Sequence, residues 1–247
     1  LSTGIGSLLG LYSKFENKRL LSLALGFSAG VMIYVSFMEL LLLSFDSLGG
    51  LYGDTYGKFI SVTAFIAGLL IMLFIDQLFD HHSIADFISR SSNKEDSLLV
   101  RTGLFSAFAL AIHNFPEGFA TFTAAVYDPA VGVTLATAIA IHNIPEGLAV
   151  SVPIYYATKS KAKAFWISFA SGLAEPIGAL IGFLIFRTVY NEALFGISFA
   201  LCAGIMIYVA LNELLPVAKA YGKPSDPIMG VTAGIIVMAI SLILMYA

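Results

Sequence analysis

Long apolar runs separated by short polar stretches dominate the chain, and run length rather than a short amphipathic period sets the expected elements. Runs near 1 to 13, 20 to 45, 57 to 79, 98 to 127, 131 to 157, 163 to 189, 194 to 218 and 227 to 247 read as helical spans, since crossing a bilayer takes about 20 predominantly apolar residues. The first run is short for a span, and residues ahead of Leu1 are expected to complete it. The expected fold is all-α: a polytopic integral membrane protein of eight transmembrane helices forming a single domain over residues 1–247.

The polar stretches sort by side. Lys14, Lys18 and Arg19 follow the first span, Arg90, Lys94 and Arg101 the third, Lys159, Lys161 and Lys163 the fifth, and Lys219 and Lys223 the seventh, which leaves only Lys58 and Arg187 of the 13 cations on the other side. Cytoplasmic loops carry the excess of Lys and Arg, so both termini are expected outside the cytoplasm. The loop from Asp80 to Asp96 is the one long polar stretch and holds His81 and His82 side by side. It reads either as a solvated linker or as a gatherer of metal ions.

Composition sharpens the class. With 58% hydrophobic residues, 12% charged ones and a mean hydropathy of +0.89, the chain departs from soluble domains, in which about 25% of residues are charged. A basic nucleic-acid surface is absent. The single cysteine, Cys202, offers neither a disulfide framework nor a thiolate metal motif and reads as a small core residue. No signal-peptide pattern opens the chain.

Two internal echoes stand out. Ala29 to Leu41 reads AGVMIYVSFMELL and Ala203 to Leu215 reads AGIMIYVALNELL, identical at nine of thirteen positions. IGSLLGL from Ile5 matches IGALIGF from Ile177, and Ala67 to Met72 weakly echoes Ala233 to Met238. Partner spans lie five apart, an odd number, so they run in opposite directions: an inverted repeat of three plus three spans flanks spans four and five, an architecture common among secondary transporters. The two middle spans repeat each other as well, AIHNFPEGFA from Ala111 against AIHNIPEGLA from Ala140.

Those two segments carry the candidate chemistry. An ionisable group at the bilayer centre costs about 2.5 to 3.5 kcal/mol on insertion scales, so each is a functional-site hypothesis. Glu39, Glu117, Glu146, Glu175 and Glu213 lie within spans that supply no obvious cationic counterpart, which points to a bound cation or to protons. His113 and Glu117, like His142 and Glu146, are four apart and share a helical face; Asn114 and Asn143 stand three before the same glutamates. Each Glu can therefore face two neighbouring ion positions. Pro116 and Pro145 remove the hydrogen bonds due to the carbonyls of Ile112 and Ile141 and are expected to kink these helices. Imidazole with carboxylate and amide oxygen suits Zn(II), Fe(II), Mn(II) or Co(II) better than copper(I). Glu175, before Pro176, is placed to close the site from a third helix. Met38, Glu39, Asn212 and Glu213 are candidates for auxiliary entrance or exit ligands, and His81 and His82 for a loop site.

The tandem HNFPEG at His113 and HNIPEG at His142, SGLAEPIG from Ser171, and the MEL and NEL segments of the outer repeat resemble the ZIP (Zrt-, Irt-like) metal transporter family over essentially the whole chain. The resemblance implies eight spans, a bacterial inner-membrane location and uptake of divalent metal toward the cytoplasm, chiefly zinc, with iron, manganese and cobalt accepted. It implies a binuclear centre: one site of His113, Glu117, His142 and Glu146, a second of Asn114, Glu117, Asn143, Glu146 and Glu175. Met38 falls near where some relatives place a thioether ligand. The ions are cargo, and no resident cofactor is expected. The expected partners are divalent metal ions and the bilayer, with a homodimer left open and nucleic acid excluded. No Walker A loop is present, so movement would follow an ion gradient or couple to protons. A passive metal-selective channel is the nearest alternative. An intramembrane zinc hydrolase is a distant one, since HExxH is missing and no separate general base is apparent.

Overall fold

The computed structural model describes residues 2–12, 18–78, 94–188 and 191–246, and among them the only regular elements are helices. In chain order these are α1 (Ser2–Tyr12), α2 (Lys18–Val35), α3 (Leu41–Tyr52), α4 (Asp54–Leu78), α5 (Lys94–Tyr127), α6 (Pro129–Thr158), α7 (Lys161–Gly172), α8 (Ala174–Thr188), α9 (Glu192–Val209), α10 (Leu215–Tyr221) and α11 (Asp226–Tyr246). A π-helical turn, Ser36–Leu40, joins α2 to α3, and another, Ala210–Leu214, joins α9 to α10. Six helical runs among the described residues are long and apolar enough to cross a membrane.

Local chemistry sets several boundaries. Asp128 caps α6 by accepting from Ala130 N at 2.7 Å, with Pro129 in the first turn, where a missing N–H is harmless. Asn191 caps α9 through Ala193 N at 2.8 Å and Ser160 caps α7 through Lys163 N at 3.3 Å. At the end of α3 the chain turns on Gly53, whose φ of 83° suits glycine. The sixth expected span is interrupted at Leu173. Pro176 has no N–H to return to the carbonyl of Gly172, so the helix restarts at Ala174 and Glu175 lands in the first turn of α8.

Packing divides the helices into two sets. α1, α5, α6, α7 and α8 pack on one another, as do α2, α3, α4, α9, α10 and α11. The sets meet chiefly where α2 lies on α6 and α9 on α5. Each set thus draws helices from both sequence echoes. Glycines make the closest contacts within each set: a Cβ on Gly26 or Gly30 would stand 2.3 or 2.2 Å from the carbonyl oxygens of Pro227 and Val231, and one on Gly147 2.0 Å from that of Thr3. Backbones approach this closely only where side chains are small, the usual device for helix pairs in lipid. Large apolar side chains such as Phe59, Phe74, Leu180 and Ile240 stand exposed on α4, α8 and α11, a surface suited to acyl chains rather than water. The chain is a multi-pass membrane protein.

Candidate metal centre

Helices α5 and α6 continue through Pro116 and Pro145, and Asn114, Glu117, Asn143 and Glu146 are all 0% exposed. Glu175, partly buried, reaches them from α8. The amide nitrogen Nδ2 of Asn143 donates to Glu175 Oε1 in a short contact, and the Glu175 carboxylate lies within electrostatic reach of Glu117 and Glu146. Gly118 makes this approach possible: a Cβ there would stand 1.9 Å from the Glu175 carbonyl oxygen.

The two asparagines are oriented alike. Asn114 Nδ2 donates to the Ser171 carbonyl at 3.2 Å, at the end of α7, while Asn143 Nδ2 is spent on Glu175. Their carbonyl oxygens, Asn114 Oδ1 and Asn143 Oδ1, are buried and receive no hydrogen bond among the described residues. A buried acceptor without a donor costs roughly 1 to 3 kcal/mol, and a cation is the partner such oxygens suit. Among the described residues no three His, Cys, Asp or Glu side chains close up into a metal cluster by themselves. An ion here would need the amide oxygens or further ligands in addition to the carboxylates. The side chains of His113 and His142 fall outside the described residues, as do His81 and His82.

The auxiliary candidates separate. Glu39 is buried in the first π-helical turn while its neighbour Met38 is 48% exposed. Both line a cleft of about 510 Å³ with Asp46, Asp54 and Lys58, and Lys58 is held by Asp54 at 2.8 Å. Glu213 occupies the second π-helical turn, where Asn212 Nδ2 reaches both Glu213 Oε1 at 3.4 Å and Asp76 Oδ2 at 3.3 Å. Tyr208 donates to the same Asp76 oxygen at 2.8 Å. Glu39 and Glu213, equivalent in the sequence echo, thus serve different surroundings.

Two polar contacts were not legible in the sequence. Asp76 sits near the end of its span, where a lone carboxylate reads as a membrane-edge charge. Ser28 is a fully buried serine on α2 that donates to Glu146 Oε1 at 3.2 Å; its only sequence signal is its place just before the echoed AGVM run. Cys202, read as a core residue, is 2% exposed, and its Sγ donates to the Pro116 carbonyl at 3.4 Å. Beside this contact an apolar crevice of about 680 Å³ opens among α4, α5 and α9, walled by Ile71, Met72, Ala111, Phe115 and Leu201 among others. A smaller crevice, about 410 Å³, reaches Glu175 between α5, α6 and α8 past Gly118, Thr121 and Ala140.

Residues 88–242 match the family described as ZIP Zinc transporter. The chain is 51% identical to a protein of Chlorobium chlorochromatii named Zinc transporter ZupT, over 99% of this chain and 93% of that one. Proteins of the same name from Chlorobaculum parvum, at 50%, and Oceanobacillus iheyensis, at 48%, cover 99% of this chain and 93% and 94% of their own lengths.

Proposed function

The chain belongs to the ZIP zinc transporter family, and from that premise we propose that it carries zinc into the cytoplasm across a bacterial inner membrane through a binuclear centre between α5, α6 and α8. It is a divalent-metal transporter and not an enzyme, as its relatives are zinc transporters by name. In the proposed arrangement residues 1–247 form one transport domain of eight spans with both termini extracytoplasmic. The inverted repeat is supported by the matched segments and by glycine contacts that recur between repeat mates: Gly118 and Gly178 join α5 to α8 as Gly147 and Gly6 join α6 to α1, and Gly68 and Gly204 join α4 to α9 as Gly234 and Gly30 join α11 to α2.

The observation that carries the reading is the pair of buried, donorless oxygens Asn114 Oδ1 and Asn143 Oδ1 beside the buried glutamates of the same two motifs. One ion would take His113, Glu117, His142 and Glu146; the second would take Asn114, Asn143 and Glu175 with Glu117 and Glu146 bridging. Oxygen-rich mixed ligands hold a divalent ion less rigidly than a closed thiolate site, which suits an ion that must leave. Iron, manganese and cobalt are proposed as secondary cargo. Because, among the described residues, the two helix sets meet chiefly at two seams with an apolar crevice beside one of them, the sets are proposed to shift against each other during transport. Met38 and Glu39 are proposed to receive ions, and Asn212 and Glu213 to release them. The homodimer is the assembly to test, by cross-linking in native membranes.

Zinc uptake into proteoliposomes of fixed orientation tests the reading. The intact protein is expected to take up zinc, with Fe(II), Mn(II) and Co(II) competing, and Glu146→Ala to lose uptake while keeping its fold. Failure of the intact protein to move any divalent ion, with reconstitution verified, would overturn the proposal.

A further inference from the structure

The two helices that meet the motif helices from the other set, α2 and α9, each place one short polar side chain at the seam. Ser28 on α2 donates to Glu146 Oε1, and Cys202 on α9 donates to the carbonyl of Pro116, the residue before Glu117. The echo that aligns Ala29 with Ala203 aligns Ser28 with Cys202. The correspondence is not a symmetry of chemistry. A hydroxyl reaches a carboxylate on one side, whereas a thiol reaches backbone on the other.

The position of Ser28 is built rather than incidental. Gly26 and Gly30, four residues apart, share one face of α2 and rest against the backbone of α11. Residue 28 lies two from each and therefore on the opposite face, turned to α6. Close glycine packing on one side holds the hydroxyl at a fixed distance on the other. Both ends of the hydrogen bond are fully buried, so water does not compete for it.

We propose that Ser28 is a positioning residue for transport: from outside the ligand-bearing helices it orients the Glu146 carboxylate, holding Oε1 so that Oε2 is presented to the ion. This inference rests on the transporter reading above. Groups hydrogen-bonded to metal ligands fix ligand orientation, and their loss commonly weakens metal affinity about 10- to 100-fold. Because the donor belongs to the opposite helix set, the contact also depends on how the two sets sit. The hydroxyl orients Glu146 best in the arrangement seen here, so a shift between the sets would loosen the ligand and favour release of the ion.

The test compares Ser28→Ala, Ser28→Thr and Ser28→Cys with the intact chain, measuring concentration-dependent zinc uptake in proteoliposomes and zinc binding by calorimetry on the purified proteins. Ser28→Ala is expected to raise KM about tenfold or more and weaken binding in parallel, with little change in maximal rate. Ser28→Thr, which keeps the hydroxyl, restores KM, and Ser28→Cys, with the weaker donor that position 202 carries, falls between. Calorimetry on whichever variants fold keeps the test open should one of them misfold. A KM within about twofold of the intact chain for Ser28→Ala, or a Thr variant as impaired as the Ala variant, overturns the positioning role. If the intact chain itself moves no zinc, the transporter reading fails instead, and the two failures are told apart by that control.

Discussion

At the scale of single residues, the spacing of the site was visible before any fold. His, Asn and Glu at intervals of three and four on two near-identical segments share a helical face by geometry, and Asn114, Glu117, Asn143 and Glu146 are each fully buried. Spacing does not tell which atom of each group is left for an ion. That follows from partners remote in sequence: Ser171 takes the Asn114 amide and Glu175 takes that of Asn143, so both carbonyl oxygens are left over. Asp76 was missed for the same reason, because a carboxylate near a span end has meaning only through Tyr208 and Asn212. Removing the phenol tests that contact. Tyr208→Phe is expected to lower unfolding stability in detergent by about 2 kcal/mol, since hydrogen bonds to charged groups are worth roughly 1.5 to 3 kcal/mol. A loss below about 0.5 kcal/mol, less than a typical neutral bond contributes, would show that water replaces the phenol at Asp76.

At the scale of elements, hydropathy located the spans but not their internal breaks. The second and seventh runs extend beyond the expected limits because each helix continues through a π-helical turn, to Tyr52 and Tyr221. The sixth is divided at Leu173. Hydropathy is blind to both features, as π-helical turns and proline breaks concern which carbonyl each N–H meets rather than how apolar the residues are. The division matters because it puts Glu175 in the first turn of a new helix facing α5 and α6. Helix pairing in turn depends on where glycine stands. Gly118→Ala would drive a Cβ into the Glu175 carbonyl and is expected to destabilise the protein by about 1 to 3 kcal/mol. Gly50 on α3 has open space around its Cβ position, and Gly50→Ala is expected to stabilise by up to about 1 kcal/mol through helix propensity. Thermal unfolding of the two variants in one detergent should shift the midpoint in opposite directions; equal shifts would refute the packing argument.

At the scale of the whole molecule, the two helix sets give the transport proposal a mechanical form. Ile71 on α4 and Ala111 on α5 face the same apolar crevice from opposite sets. A bifunctional thiol reagent joining Ile71→Cys to Ala111→Cys is expected to arrest zinc uptake, while the same reagent on either single variant leaves it running; the buried native Cys202 adds little background. Continued uptake by the bridged protein would mean that the sets need not move apart at this seam.

Membrane class, family, internal echoes and the types and spacing of the motif residues are all readable along the chain, because hydropathy, residue type and short spacing are local properties that each segment carries wherever it packs. Folding was needed to fix which helices share a set, which oxygens of the candidate site remain without donors among the described residues, and that Ser28 reaches Glu146 across 118 positions of chain. Those are pairings between distant segments, selected by where glycines let backbones meet and by which buried polar groups find one another, and neither is encoded in any one span.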